Sequence, residues 1–122
     1  MAEKKILVID DDKLMRMMIS EALIRHRYYA FCVDSGEAGI EAALARNPHL
    51  IILDMIMPGI DGIETLKRLK AHPHTKNIPV IMLTGVSKST DIATIVKLGA
   101  KDYIVKPFEE DNMLKRIQRA LG

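Results

Sequence analysis

The sequence predicts a doubly wound α/β domain of the (βα)5 type, built around one five-stranded parallel sheet. Stretches with a helical period alternate with short apolar runs from end to end of the 122 residues. Three of the runs, residues 6–9, 50–53 and 80–83, are apolar at every position, as expected of strands that are buried on both faces. The length suits a single domain that spans residues 1–122.

The first half of the chain is expected to form three strands and two helices. In chain order they cover residues 6–9 (strand), 13–27 (helix), 28–33 (strand), 37–46 (helix) and 50–53 (strand). Asp12 is placed to cap the first helix, since an aspartate oxygen can accept from the free N–H groups of the first turn. The buried stripe of that helix is predicted to comprise Met15, Met18, Ile19 and Ala22.

The second half is expected to form three helices and two strands. In chain order they cover residues 63–71 (helix), 80–83 (strand), a helix that ends at residue 98, then 103–105 (strand) and 109–121 (helix). Ser89 or Thr90 is predicted to cap the second of these helices, and Gly99 to end it, because glycine readily adopts the left-handed conformation. The last helix is acidic at its start and basic at its end, as the helix dipole favours.

The apolarity of the strands predicts their order in the sheet. The first, third and fourth strands are uniformly apolar and should be central, whereas the second carries Tyr28 and Tyr29 and suits an edge. With right-handed crossovers this gives the order 2-1-3-4-5, which is the flavodoxin-like arrangement. The direction of winding then reverses between strands 1 and 3, and ligands of such sheets bind at this switch point.

The composition is that of an ordinary globular protein, with 48% hydrophobic and 28% charged residues. A formal net charge of +2 is too small to indicate binding to nucleic acid or to a membrane. No signal-peptide pattern is visible, and no apolar run approaches the ~20 residues that a membrane span needs, so we expect a cytoplasmic protein. The one cysteine, Cys32, excludes a disulfide framework and is expected to be a small core residue.

Polar side chains stand where the predicted strands end. They are Asp10 and Asp11 after the first strand, Asp54 after the third, Thr84 after the fourth and Lys106 after the fifth. The carboxyl ends of parallel strands meet at one end of the sheet, where ligands bind. Taken singly, each residue has another explanation, such as helix capping by the aspartates of the run 10–12. Taken together, these residue types indicate a site for a divalent cation and a phosphoryl group.

Three carboxylates held close together repel one another. At a separation of about 4 Å and an effective dielectric constant near 20, each pair costs roughly 4 kcal/mol. Either one carboxylate keeps a proton or a cation binds, and ligands that are all oxygen favour Mg²⁺, with Mn²⁺ as a substitute. Asp54 is the candidate nucleophile toward phosphorus because it stands alone at a central strand. Lys106 and Thr84 would then contact phosphoryl oxygens.

The same residues resemble a known family. The motifs that carry the resemblance are Asp10-Asp11, Asp54 in the run Leu53-Asp54-Met55-Ile56-Met57-Pro58-Gly59-Ile60-Asp61-Gly62, Thr84-Gly85 and Lys106-Pro107-Phe108, and they are similar to those of a two-component response-regulator receiver domain. The resemblance covers the whole chain. It implies a phosphorylation-activated switch, not an enzyme, in which Asp54 accepts a phosphoryl group from a histidine kinase or a histidine phosphotransfer protein. The kinase, the downstream target, the oligomeric state and membership of a longer protein stay open.

The resemblance also implies how the site is built. Mg²⁺ would be held by Asp11, Asp54 and the backbone carbonyl of Ile56, and Asp10 would contribute through a water molecule. The bond between Lys106 and Pro107 would be cis, an isomer that costs little before proline.

Signalling roles follow from the same resemblance. Thr84 and Tyr103 would form a switch that alters the face made by the fourth helix, the fifth strand and the fifth helix. Ile56 and Val86 are apolar at positions that are often polar in the family, so the aspartyl phosphate is expected to be long-lived. The docking surface for the phosphoryl donor is predicted to comprise Leu14, Met17, Pro107 and Phe108.

Two other classes of protein share parts of this pattern. A small Mg²⁺-dependent phosphatase of the haloacid-dehalogenase type would use Asp10 as nucleophile and Asp12 as acid, but its D-x-D-x-T motif needs a threonine where Leu14 stands. A flavodoxin-like nucleotide binder would need a glycine-rich loop after the first strand, which the sequence lacks. The basic residues of the last helix are interpreted as a solvated face, so no direct contact with nucleic acid is expected.

Overall fold

The fold is an open α/β sheet with helices on both of its faces. The computed structural model describes residues 3–85 and 89–122, with the backbone only at residues 89–91. Its elements are β1 (Lys5–Ile9), α1 (Lys13–Arg25), β2 (Tyr29–Val33), α2 (Gly36–Arg46), β3 (Leu50–Asp54), α3 (Gly62–Ala71), β4 (Val80–Thr84), α4 (Ser89–Lys97), β5 (Asp102–Val105) and α5 (Glu110–Leu121). The predicted (βα)5 order is confirmed. None of the described helices has the length and apolarity that crossing a bilayer requires.

The five strands are parallel and lie in the order β2-β1-β3-β4-β5, which confirms the predicted flavodoxin-like arrangement. In the middle of the sheet, Ile6 of β1 pairs with Leu50 of β3 on one side and with Ala30 of β2 on the other. Strands β2 and β5 are the edges. The carboxyl ends of β1, β3 and β4 therefore lie side by side at one end of the sheet, which is where the predicted site residues occur.

The alternation of side chains along β1 divides the apolar core into two layers. Ile6 and Val8 belong to the layer that α1 and α5 cover, and Leu7 and Ile9 belong to the layer that α2, α3 and α4 cover. All four side chains are fully buried. Burial on both faces of the sheet is the reason that the central strands are apolar at every position.

Side-chain caps fix the starts of three helices. The capping side chains are Asp12 for α1, Ser35 for α2 and Asp61 for α3. The Asp12 carboxylate accepts from Leu14 N–H at 2.9 Å, as predicted, and so satisfies a backbone donor that has no partner within the helix. Gly99 follows α4 with a φ of +107°, which confirms its predicted role. The predicted caps Ser89 and Thr90 lie outside the described side chains.

Helix α1 departs from the prediction in two respects. It ends at Arg25, and not at residue 27, because Arg27 has a φ of 67° that a right-handed helix cannot continue. Its buried residues are Ile19, Ala22 and Leu23. The prediction that Met18 faces the core is wrong, since its side chain is 54% exposed. Apolar residues surround most of this helix, so the helical period alone does not identify its buried face.

Cys32 lies on the edge strand β2 and not in the centre of the core. Its side chain is half-buried and packs at the rim of the layer under α1. Burial raises the pKa of its thiol, which stays protonated at neutral pH. It is a small packing residue, as expected, but a peripheral one.

Candidate functional site

Three aspartates lie together at the end of the sheet where β1 and β3 stop. Asp10 and Asp11 directly follow β1, and Asp54 is the last residue of β3, one position beyond the predicted strand end. One oxygen from each of the three carboxylates lies within 4.8 Å of the other two. Asp10 and Asp54 are buried, whereas Asp11 is exposed. The structure therefore brings the predicted acids into one cluster that is open to solvent on the side of Asp11.

Lys106 brings a positive charge into this cluster from the loop after β5. Its Nζ donates to Asp54 Oδ1 at 2.9 Å, and it lies 3.6 Å from Asp10 Oδ2, too far for a hydrogen bond. Burial opposes the charge of Lys106, but the hydrogen bond to Asp54 and the negative charges of Asp10 and Asp54 outweigh it and raise the pKa of the ammonium group. The peptide bond between Lys106 and Pro107 is cis, as the resemblance implies.

The surroundings of Asp10 destabilise its ionised form. Its Oδ1 accepts from Asp12 N–H at 2.9 Å, but its Oδ2 is buried and has no hydrogen-bond partner among the described residues. Burial raises the pKa of its carboxyl group, and the charges of Asp54 and Asp11 add to this effect, against the hydrogen bond from Asp12 and the charge of Lys106. The ionised cluster therefore lacks part of the positive charge that would stabilise it.

The donor set suits a small, hard divalent cation. With all three aspartates ionised and Lys106 protonated, the formal charge is three negative plus one positive, which leaves −2. Carboxylate oxygens are the ligands that Mg²⁺ prefers, and the unpartnered Asp10 Oδ2 gives such an ion or its water shell a buried oxygen to bind. The exposed Asp11 leaves a path for the ion to enter. The residues present thus fit the predicted cofactor.

Thr84 and Tyr103 lie on the two strands beyond Asp54. Asp54 pairs with Leu83 of β4, so the buried Thr84 is one position further along that strand, at the same end of the sheet. Tyr103 pairs with Met82 and is half-buried on the edge strand β5. Val86, whose apolar side chain was predicted to shield the site, lies outside the described residues.

Two residues to which the sequence analysis assigned no structural role hold the site in place. Gly62, at the start of α3, donates its N–H to Met55 O at 2.9 Å, and a β-carbon there would lie 2.3 Å from Asp54 O. Only glycine therefore allows α3 to begin against the end of β3. Arg16 of α1 donates from Nη1 to Asp10 O at 2.9 Å and ties the helix to the turn that carries the acids. Gly62 gave a weak signal in the sequence, as a glycine after the cap Asp61, whereas Arg16 gave none.

The predicted docking residues lie beside this end of the sheet. Leu14 is 65% exposed and Met17 is 49% exposed on the first turns of α1. Pro107 is exposed, and Phe108 is half-buried against the layer that α1 and α5 cover. The structure thus leaves apolar surface at the places where the prediction needs it.

A doubly wound sheet with an acid cluster and a lysine at its switch point defines an α/β domain whose site suits a divalent cation. Residues 6–118 match the family model described as the response regulator receiver domain, and the chain belongs to that family. Receiver domains are regulators and not enzymes, and they work with histidine kinases and downstream targets.

Several relatives agree with this assignment. The chain is 36% identical over 121 residues to the phosphate regulon transcriptional regulatory protein PhoB of Pseudomonas aeruginosa. The matched residues make up 99% of this chain and 53% of PhoB. It is 33% identical over 119 residues to the chemotaxis protein CheY of Bacillus subtilis, covering 97% of this chain and 98% of CheY. The structure of Vibrio cholerae CheY4 superposes with a TM-score of 0.93 at 29% identity, covering 98% of this chain and 99% of CheY4.

The chain is accordingly a phosphorylation-activated switch of two-component signalling, and the phosphatase alternative is not supported. It spans about half the length of PhoB, at 53%, and nearly the whole of CheY, at 98%.

Proposed function

We propose that Asp54 is the residue that accepts the phosphoryl group, from a phosphohistidine on a histidine kinase or a histidine phosphotransfer protein. The observation that carries this proposal is the position of the Asp54 carboxylate. It ends a central strand, lies among the oxygens of Asp10 and Asp11, and is hydrogen-bonded to Lys106 at 2.9 Å. Asp10 shares the burial and the acidic neighbours, but Lys106 Nζ lies 3.6 Å from its Oδ2, so of these three carboxylates only that of Asp54 accepts a hydrogen bond from the lysine.

The transfer is a displacement at phosphorus. One Asp54 oxygen forms a bond to phosphorus while the bond from phosphorus to the donor imidazole nitrogen breaks, and the imidazole leaves with the electron pair of that bond. Lys106, already at the carboxylate, then contacts a phosphoryl oxygen, and Thr84 donates to another. The receiver thereby assists its own phosphorylation and, by water attack at the same phosphorus, its own dephosphorylation.

Asp11, Asp54 and the backbone carbonyl of Ile56 would hold Mg²⁺, with Asp10 acting through water and with Mn²⁺ as a substitute. The bound ion supplies positive charge against the phosphoryl oxygens and against the three aspartates. This assignment is supported by the carboxylate geometry and by the unpartnered Asp10 oxygen. We expect the protein to act in the cytoplasm.

Incubation with acetyl phosphate and Mg²⁺ tests the proposal against phosphatase chemistry. We expect the intact mass to rise by one phosphoryl group per chain, and the rise to disappear when EDTA removes the metal. A phosphatase would instead turn over a chromogenic phosphate ester many times and accumulate no labelled protein. Sustained turnover of such an ester, without labelling, would contradict the assignment.

Ile56 is proposed to slow hydrolysis of the aspartyl phosphate. Its side chain stands 78% exposed at the mouth of the site, two residues after Asp54, and carries no polar group that would orient an attacking water. After the donor is removed, the mass label is expected to persist for well beyond seconds, and Ile56→Asn to shorten its lifetime. A label on the unaltered protein that is lost within seconds would show that this position does not protect it.

Thr84 and Tyr103 are proposed to pass the signal to the face formed by α4, β5 and α5. Thr84 ends β4 beside the site, and Tyr103 lies on the next strand, at the edge of the sheet. Movement of Thr84 toward the phosphoryl group would leave space that the Tyr103 ring can fill, which gives two discrete packings of one element. The downstream target would read this face.

An apolar surface is proposed to receive the donor protein. It comprises Leu14 and Met17 of α1 together with Pro107 and Phe108. Changing Met17 to Glu places a charge in that surface and should slow transfer from a phosphorylated histidine phosphotransfer protein roughly tenfold or more. Labelling by acetyl phosphate, which needs no docking, should be unchanged. Ile24→Glu is the matched control, because Ile24 is also exposed on α1 but lies about two turns further from the site. Equal rates of protein-to-protein transfer for Met17→Glu and the unaltered chain would place docking elsewhere.

A further inference from the structure

Arg116 of α5 is held by two side-chain contacts, one to Asp102 of β5 and one to Asn112 of its own helix. Its Nη1 donates to Asp102 Oδ1 at 2.6 Å, and its Nε donates to Asn112 Oδ1 at 3.2 Å. Asp102 Oδ1 also accepts from the backbone N–H of Tyr103 at 2.8 Å, so the carboxylate itself is held in one orientation. Both members of the ion pair are about a quarter exposed, at 26% and 22%, so solvent screens them only partly.

The guanidinium group of Arg116 also lies beside the Tyr103 ring, at 5.4 Å from its centroid, within the range of a cation–π contact. Tyr103 packs at the rim of the layer that α2, α3 and α4 cover, whereas α5 packs on the opposite face of the sheet. Because β5 is an edge strand, Arg116 can reach round its free side to a ring that belongs to the other face. The contact therefore requires the ring to stand at the edge of the sheet.

A ring in contact with Arg116 at the sheet edge does not fill space in the interior beside Thr84. The guanidinium plane is already held by Asp102 and Asn112, so little further side-chain entropy is lost when the ring stacks on it. The contact with Arg116 therefore stabilises the ring position at the sheet edge and not the position in the interior. A contact made in only one of two states shifts the equilibrium toward that state.

We propose that Arg116 is a positioning residue that holds Tyr103 at the edge of the sheet in the unphosphorylated protein and so sets the resting activity of the switch. The inference rests on the proposed role of Tyr103 as the switch residue. Asp102 and Asn112 act through Arg116, by orienting it. Loss of the Arg116 charge should raise the population of the inward ring without any phosphoryl group, roughly two- to fivefold, as expected from one exposed cation–π contact.

The test measures the nuclear Overhauser contact between the Tyr103 ring and the Thr84 methyl group, in protein with labelled tyrosine and threonine. The chain is compared free and with beryllofluoride plus Mg²⁺, a stable mimic of the phosphoryl group. In the free state the contact should strengthen roughly two- to fivefold in Arg116→Met, and less in Arg116→Lys, which keeps an ion pair with Asp102 but lacks the planar group. Arg119→Met, which removes an exposed arginine of the same helix, should match the unaltered chain.

The two possible failures are distinguishable. If beryllofluoride strengthens the contact in the unaltered chain but free Arg116→Met shows no increase, Arg116 does not hold the ring and the inference is wrong. If beryllofluoride leaves the contact unchanged in every variant, Tyr103 is not the switch, and the proposed signalling route is wrong together with the inference. A merely structural role for Arg116 would lower the unfolding midpoint in urea without strengthening the free-state contact.

Discussion

Asp10→Asn is expected to stabilise the metal-free protein and to weaken its binding of Mg²⁺, two effects of opposite sign from one substitution. The buried Asp10 Oδ2 has no hydrogen-bond partner among the described residues, since Lys106 Nζ lies 3.6 Å away, and the Asp10 carboxylate lies in one cluster with those of Asp11 and Asp54. An asparagine keeps the Oδ1 that accepts from Asp12 N–H, and its amide can donate to those carboxylates. In EDTA the free energy of unfolding in urea should rise by about 1–3 kcal/mol.

The pH dependence of that gain identifies its cause. The pKa of Asp10 is raised in the folded protein above its ordinary value of 3.8, so between the two values the folded chain binds a proton that the unfolded chain has released. Stability from this group is therefore greatest at low pH and falls as the pH rises through the raised pKa. The advantage of Asp10→Asn should grow as the pH rises through the raised pKa and should shrink as the pH falls toward about 4. A gain that does not depend on pH would contradict an electrostatic origin.

Mg²⁺ should reverse the ranking of the two proteins. Binding to the folded state adds stability in proportion to the logarithm of the ion concentration over its dissociation constant. The variant has lost one acidic partner of the ion, so Mg²⁺ should raise its unfolding midpoint less than that of the unaltered chain. Asp12→Asn is the matched control, because it removes the same charge from the same turn, remains a good helix cap and lies exposed. It should show neither the gain in EDTA nor the smaller response to Mg²⁺.

Gly62→Ala is expected to damage both stability and phosphorylation. The added β-carbon would meet backbone atoms, at 2.3 Å from Asp54 O and 2.7 Å from the α-carbon of Met55, and backbone cannot rotate out of the way as a side chain does. The start of α3 must then move away from the end of β3, which breaks the bond from Gly62 N–H to Met55 O and displaces Asp54. We expect a loss of about 1–3 kcal/mol in unfolding free energy and a slower rate of labelling by acetyl phosphate.

Gly85→Ala is the control for stability in the Gly62 experiment. A β-carbon at Gly85 meets no atom within 4 Å in the described part of the chain, so the change should leave the unfolding midpoint near that of the unaltered protein. If Gly62→Ala unfolds at the same urea concentration as Gly85→Ala, the close approach of α3 to β3 does not constrain the site.

The parts of the fold that depend on hydrophobic pattern were predictable from the sequence. Strands β1, β3 and β4 are buried on both faces, and that burial requires the uniform apolar runs that identify them. The edge position of β2 was predicted from Tyr28 and Tyr29, of which the strand contains the second. The acid cluster followed from topology, since parallel strands bring Asp10 and Asp54 to one end of the sheet.

The predictions that were wrong, and the contacts that were not predicted, concern features that tertiary packing determines. Met18 is apolar and has the right period, yet it faces solvent, because a helix with apolar residues nearly all round can be docked in more than one rotation. The end of α1 is set by the positive φ of Arg27, a residue type that does not favour that conformation. The contact of Arg116 with Tyr103 reaches round the edge of the sheet, and the close approach of Gly62 to Asp54 depends on how α3 packs against the end of β3, so neither contact follows from a local sequence pattern.

The most direct measurement is the location of the phosphoryl group after reaction with acetyl phosphate and Mg²⁺. Reduction of the acyl phosphate with borohydride, followed by digestion and mass spectrometry, marks the modified aspartate. The modification should lie at Asp54 alone, and Asp54→Asn should gain no phosphoryl mass, whereas Asp12→Asn should be labelled like the unaltered chain. A mark at Asp10, or full labelling of Asp54→Asn, would contradict the account.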